Sequence, residues 1–274
     1  MAQAARRDRP AREAPPVTRR PWWLVGLGVA VVLAFAIVTL PASVVASRLE
    51  PFGVTAVAWS GSIWSGTATG VAWRDAPLGE LRWRIAPLAL LRARLGARVE
   101  LLRPDGRVDA DVLASRSGTL EITNATVDLP IEAFAGLPLG LPKGWRGRLQ
   151  ATVIRLAVEK GWPTEVLGTL DVDTLIAPPP RNASIGSYHA VLPDPQAPAP
   201  QAGATATGIS ARITDKEGPF AVDGRLTLGP GRDFLLEGTL APRGDTPPAL
   251  RRSLEILGPP DAAGRRPFSV SGTL

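Results

Sequence analysis

One short unit returns six times along the chain. A polar or small residue precedes a glycine, and the glycine feeds a run in which apolar and polar side chains alternate. It appears as RSGTLEITNATVDL (116–129), WRGRLQATVIRLAV (145–158), VLGTLDVDTLIA (166–177), VDGRLTLG (222–229), LEGTLAP (236–242) and VSGTL (270–274). Leu120, Ile122 and Leu129 carry the alternation, as do Leu149, Ala151 and Val153, and Leu170, Val172 and Thr174. Period two with polar residues between means half-buried antiparallel strands. The repeated glycine permits a bend, a bulge or a close approach where each strand starts. The spacing of the units is irregular, so a solenoid of fixed period is excluded. The fold class that follows is mostly β, a long antiparallel meander that curls into a groove or half-barrel. The 28 glycines and 28 prolines suit many strands joined by turns.

Three short helices are expected to interrupt the meander. PLALLRARL (87–95) lies between the strands LRWRI (81–85) and ARVELL (97–102). IEAFAG (131–136) ends at a glycine. PPALRRSLEILG (247–258) has prolines at its start, Leu250, Leu254 and Leu257 at helical spacing, and Gly258 with Pro259 to stop it. The Pro/Ala stretch PDPQAPAPQAG (193–203) has no strand or helix pattern and reads as a mobile loop.

The stretch Ala56 to Trp73 holds Trp59, Trp64 and Trp73 among small, apolar and hydroxyl residues. Val57 and Trp59 share one face of a strand, and Gly61 breaks it. In the next strand Thr67, Thr69, Val71 and Trp73 share a face, and Gly66, Ala68, Gly70 and Ala72 share the other. Trp59, Trp64 and Trp73 are therefore either core rings of a thin sheet or an interaction surface.

Trp22 to Leu40 is a charge-free apolar run of 19 residues, between Pro21 and Pro41. As a helix it spans about 28 Å, close to the ~30 Å hydrocarbon core of a bilayer. Residues 1–20 carry a net charge of +4 and the rest of the chain only +2 of the total +6. The positive-inside rule places 1–20 in the cytoplasm and everything after Pro41 across the membrane. The expected organisation is a disordered cytoplasmic tail (1–20), a single transmembrane helix (21–41) and a periplasmic β-rich domain (42–274). A cleaved signal peptide, with Ala46 near the cleavage point, is the rival, but the run exceeds the ~7–15 residues of a signal core. Gly26, Ala30 and Ala34 form a small-residue ridge on this helix, suited to packing on another membrane helix. Small residues are also simply common in such helices.

The chain has no cysteine and one histidine, which excludes disulfides, thiol nucleophiles and multi-histidine metal sites. His189 has no nucleophile-elbow serine to serve. Asp109 with Asp111, and Asp171 with Asp173, fall on one face of their strands and read as solvated positions rather than metal or acid/base pairs. The near-neutral bulk of the chain argues against nucleic acid. No catalytic, metal or cofactor-binding residue is assigned, and no cofactor is expected.

The layout resembles a known family. An arginine-bearing tail, one apolar span, VAWSGSIWSGTATGVAW, LRWRIAPLALLRARL, GSYHAVL and the closing LEGTLAP…PALRRSLEILGPPDAAGRRPFSVSGTL are similar to protein N of the bacterial type II secretion system. The resemblance runs from about Pro21 to Leu274, and its most specific part is the C-terminal block. The Trp-Gly strands followed by a Pro-Leu segment also resemble AsmA-like envelope proteins, and the Pro/Ala loop looks like an insertion. The resemblance to protein N implies a non-enzymatic, single-pass accessory subunit in the inner membrane of Gram-negative bacteria. It implies export of folded periplasmic proteins across the outer membrane. The implied partners are other secretion subunits: the inner-membrane platform, the linker subunit or the secretin. The AsmA-like alternative implies a β-groove that binds or transfers lipid.

Overall fold

A computed structural model of the chain describes residues 27–28, 35–36, 39–74, 76–87, 94–135, 143–197, 208–244 and 246–273. The chain separates into two units, residues 1–39 and 40–274. In the first, Leu27–Gly28 and Phe35–Ala36 are helical. The amide and the hydroxyl of Thr39 both donate to the Phe35 carbonyl, at 2.9 and 2.8 Å, which is a helical turn. Among the described residues no helix is long and apolar enough to cross a membrane. Most of the span expected over Trp22–Leu40 lies outside the described residues, and so do the tail 1–20 and Gly26, Ala30 and Ala34.

The second unit opens with a short helix, α1 (Ser43–Leu49), which runs into a 3-10 turn at Glu50–Phe52. The strands follow as β1 (Val54–Thr55), β2 (Ala58–Gly61), β3 (Ser65–Trp73), β4 (Ala76–Ala86) and β5 (Arg94–Arg103). Next come β6 (Gly106–Ser115), β7 (Thr119–Pro130), β8 (Arg146–Glu159), β9 (Trp162–Ile176) and β10 (Ser184–Leu192). The series ends with β11 (Ile209–Glu217), β12 (Phe220–Leu228), β13 (Asp233–Pro242) and β14 (Arg266–Thr273). All fourteen form one antiparallel sheet in which β3 to β14 follow chain order, and β1 and β2 both pair with β3. The expected meander is thus what forms. It is an open sheet: among the described residues β14 pairs with β13 alone, so the first and last strands do not close a barrel. Register shifts between β3 and β4, β6 and β7, β8 and β9, and on both sides of β10 insert bulges. Bulges bend a strand and raise its local twist.

The expected helices are partly realised. Ile131–Phe134 is a 3-10 turn. Pro248–Ser253 forms α2 and continues as a 3-10 turn over Leu254–Leu257, and Gly258 at φ +91° ends it. In the 87–95 segment Pro87 is helical and Arg94 and Leu95 already belong to β5, while 88–93 lie outside the described residues. The physical reason for the shorter segment is pairing: Leu95 finds Ala114 across the sheet, and a strand partner wins over local helix propensity.

The core is thin. Its most buried residues are small or lie at margins: Ala68 at 0% exposure, Val71 at 2%, Ala211 at 3% and Leu254 at 5%. No large side chain is fully buried among the described residues. One layer of strands cannot enclose a large side chain from both sides, and no second layer packs on this sheet among the described elements.

Candidate functional site

In antiparallel strands successive side chains point to opposite faces, and directly opposed residues share one. Following the register from strand to strand therefore reveals what each face carries. One row runs Trp59, Ala68, Leu81, Leu101, Val108, Val127, Ala151, Leu170, Ala190, Ile213, Gly224, Gly238, Phe268, and so crosses thirteen strands from β2 to β14. Apart from the Trp59 indole nitrogen, no member has a polar side-chain atom. At ~4.8 Å per strand the row is roughly 58 Å long. Leu101, Val127, Ala151, Leu170 and Ile213 are half-buried.

The adjacent row on the other face is the inverse. It runs Ser60, Thr67, Arg82, Glu100, Asp109, Thr126, Thr152, Thr169, Val191, Arg212, Arg225, Glu237, Ser269, with Val191 its one apolar member. The charges on this face are matched across strands. Arg98 forks onto Asp111 at 2.9 and 3.1 Å, and Arg148 onto Asp128 at 2.6 and 2.8 Å. Arg155 lies between Glu121 and Glu165, and Lys216 lies 3.2 Å from both Asp171 and Asp173. The hydrogen bond from Arg148 holds the Asp128 carboxyl below its usual range.

The lone histidine belongs to this ladder. His189 Nδ1 is 2.9 Å from Asp171, on the next strand. Burial works against the Asp171 charge, but the hydrogen bonds from His189 and Lys216 outweigh it and hold the carboxyl low. Tyr188, beside it in sequence, is pushed up to about 12 by burial and by the charge of Asp215, so its phenol keeps its proton near neutrality and donates to the Ile185 carbonyl at 3.0 Å. The aspartate pairs expected on solvated faces lie in ion pairs: Asp109 with Arg107, Asp111 with Arg98, and Asp171 and Asp173 with Lys216. Among the described residues no group of three His, Cys, Asp or Glu side chains is arranged to hold a metal ion.

The tryptophans make different contacts. Trp59 meets Trp83, with ring centroids 5.9 Å apart and planes tilted by 59°. Trp83 lies along Gly66, where any Cβ would run into its ring, and its indole donates to the Ile63 carbonyl at 3.0 Å. Trp73 donates to the Phe52 carbonyl at 3.1 Å and carries the Arg74 guanidinium over its ring at 5.8 Å. Trp64 sits in the β2–β3 turn, where its amide donates to the Ser62 hydroxyl oxygen at 3.2 Å. The face assignment within β3 also shifts. A bulge between Ala68 and Val71, with Gly70 at φ +62°, returns Val71 to the side of Ala68 rather than that of Thr67. Trp83 was visible in LRWRI as a strand residue, but its contact with Trp59 depends on the β2–β3–β4 register.

Concavities open on the polar face among the described residues, and two stand out. The larger, about 630 Å3, is lined by Arg212, Asp223, Arg225, Glu237, Arg265 and Ser269 among others. Its arginines are matched, Arg212 with Asp223, Arg225 with Asp194 and Arg265 with Asp261. The smaller, about 390 Å3, lies between β3, β4 and β5 and is lined by Ser65, Thr67, Arg82, Arg84, Arg98 and Glu100.

Residues 52–269 match the family described as type II secretion system (T2SS), protein N. The chain is 28% identical over 257 residues to type II secretion system protein N of Aeromonas hydrophila, covering 88% of this chain and 94% of that one. It is 26% identical over 250 residues to the protein of the same name from Vibrio cholerae serotype O1, covering 89% and 95%. No solved structure matches the chain significantly.

Proposed function

Because the chain belongs to the type II secretion system protein N family, we propose that it is a non-enzymatic accessory subunit of that exporter, anchored in the bacterial inner membrane. Residues 21–41 are the single transmembrane helix in this reading, with 1–20 cytoplasmic and 42–274 in the periplasm. The charge bias around the apolar run supports that orientation.

The observation that carries the reading is the free edge at β14. Among the described residues this strand is paired on one side only, and Val270 is 52% exposed. Natural sheets usually protect a long edge with lysines, bulges or a covering element. Here Pro267 blunts one end, and Phe268–Thr273 is left open. The opposite edge is occupied by the short strands β1 and β2, with α1 beside them. A strand from the platform, linker or secretin subunit can add to β14 by backbone pairing. Photocrosslinkers placed at Ser269 and Val270, and at Trp59 for comparison, test this in cells. The expected products contain secretion subunits at β14, and deletion of the chain lowers secretion of exported proteins. Unchanged secretion together with no secretion subunit in the products rejects the reading.

The thirteen-strand apolar row favours a second reading, in which this face handles lipid. Apolar, elongated surfaces of this kind suit acyl chains. Gentle purification of the full chain followed by lipid extraction separates the two. Stoichiometric co-purified lipid supports lipid handling, and a lipid-free chain that still crosslinks to secretion subunits leaves the first reading alone.

A further inference from the structure

Two places on the polar face set arginine directly opposite arginine in neighbouring strands: Arg212 beside Arg225, and Arg84 beside Arg98. Directly opposed side chains have Cβ atoms about 5 Å apart, and like charges there repel. At the first place the chain supplies the anions. Asp194, with its side chain fully shielded from solvent, takes Arg225, and Asp223 takes Arg212. The Gln196 side-chain carbonyl accepts from Arg212 as well, at 2.7 Å.

At the second place the chain supplies only half of them. Asp111 takes Arg98 and is shared with Asn124. Glu80 is taken by Arg82. Arg84 reaches no carboxylate among the described residues, and it opens on the concavity of about 390 Å3. Three guanidinium groups line that space against the single carboxylate of Glu100, and the Ser65 and Thr67 hydroxyls line it too.

The geometry points to a binding site for a phosphate group, held by Arg84 and Arg98 with Ser65 and Thr67 as further donors. Forked guanidinium donors converging on one space suit the oxygens of a phosphate group, whether free or esterified. The site's position favours one source. The Ile63 amide donates to the Leu40 carbonyl at 3.0 Å, Pro41 bridges to Ser62, and the Ile85 amide donates to the Trp64 carbonyl at 2.7 Å. Arg84 therefore lies at the end of the sheet where the chain arrives from its apolar span. A lipid headgroup at the bilayer surface is the phosphate nearest to hand. That source rests on the membrane reading above, whereas the anion site itself does not.

The test uses the full chain in nanodiscs holding equal phosphatidylglycerol and phosphatidylcholine, with carbonate extraction from cells as a separate check of membrane residence. Native mass spectrometry reads which lipid stays bound. Inorganic phosphate is titrated in a second arm, in phosphatidylcholine alone, and is followed through arginine side-chain NMR signals. Wild type is expected to retain phosphatidylglycerol. Arg84→Gln is expected to lose about tenfold in that retention, the order of one hydrogen bond to a charged group. Arg155→Gln, which breaks an ion pair on the same face, should leave it unchanged. Phosphate binding that depends on Arg84, without lipid retention, keeps the site and assigns it to free phosphate. If neither probe distinguishes Arg84→Gln from wild type, or if Arg155→Gln loses as much, the site is refuted. Failure of carbonate-resistant residence alone overturns the anchor, and the phosphate arm still decides the site.

Discussion

Asp194 shows how much one side chain can organise in a thin sheet. Its carboxylate accepts the Gln196 amide at 2.8 Å and pairs with Arg225, and its own amide donates to the Ser210 carbonyl at 3.1 Å. Burial favours the neutral acid, but the Gln196 amide and Arg225 outweigh it and hold the carboxyl below the usual range. The native pKa is thus lower than the unfolded one. The stabilisation is fully present above the ordinary aspartate value of about 3.9 and is lost as pH falls through the lower native value. Asp194→Ala is expected to cost about 2–3 kcal/mol near pH 7. A fully enclosed pair would cost roughly 3–5, and Arg225 keeps 31% of its side chain exposed. Urea denaturation at pH 7 and in the acid range checks both points: the gap between variant and wild type should narrow on acidification. A gap that stays constant with pH contradicts the sign worked out here. Nothing in PDPQAPAPQAG marked Asp194 as buried. Arg225 and Arg212 lie in later strands, and only the sheet register brings them to it.

At the scale of elements, the alternating glycine-led runs mapped onto strands almost one for one. The runs at 116–129, 145–158, 166–177, 222–229, 236–242 and 270–274 fall within or overlap β7, β8, β9, β12, β13 and β14. β11 escaped although Thr207 and Gly208 lead into Ile209, Ala211 and Ile213 in the same way, because this run follows directly on the Pro/Ala stretch. The β8–β9 hairpin joins two of the longest strands through Lys160 and Gly161, both with positive φ, +50° and +76°. Such a two-residue turn matches the twist of the strands it joins. A Cβ at Gly161 would meet nothing within 4 Å, so the cost of alanine there is purely conformational. Gly161→Ala is expected to destabilise by about 1 kcal/mol, the cost of left-handed backbone for an L-residue. Thermal denaturation monitored by circular dichroism measures it. A neutral result would mean that the turn relaxes into another type without disturbing the register.

On the scale of the whole molecule, each strand from β4 to β13 touches chiefly its two neighbours, and stability is therefore distributed along one dimension. Arrays of this kind behave as sums of local and nearest-neighbour contributions, and their ends can open while the middle holds. Phe268 is the contact that closes the C-terminal end. It faces Gly238 across the sheet, and its ring lies 3.5 Å from where a Gly224 Cβ would be. Phe268→Ala is expected to cost about 2 kcal/mol, below the roughly 3–5 of a fully buried ring because this one is half-buried. The loss should be local. Hydrogen exchange should accelerate in β13 and β14 and stay unchanged in β7 to β9. Uniform acceleration across the sheet would show a single cooperative unit instead.

The amino-acid sequence alone determined the secondary structure of most of the sheet, its antiparallel order and the family. These depend on local alternation and on turn chemistry, which need no knowledge of partners. It also separated apolar from polar positions within each strand, as at Leu149, Ala151 and Val153. What only the tertiary structure decided is how those separate stripes line up. The register joins Trp59 to Phe268 in one apolar row, sets Trp59 against Trp83 rather than Trp64 or Trp73, and places Arg84 beside Arg98. A slip of one residue, or a bulge such as that at Gly70, moves a side chain to the other face. Register is fixed by the sum of pairings across neighbouring strands, and no single strand's sequence contains that sum.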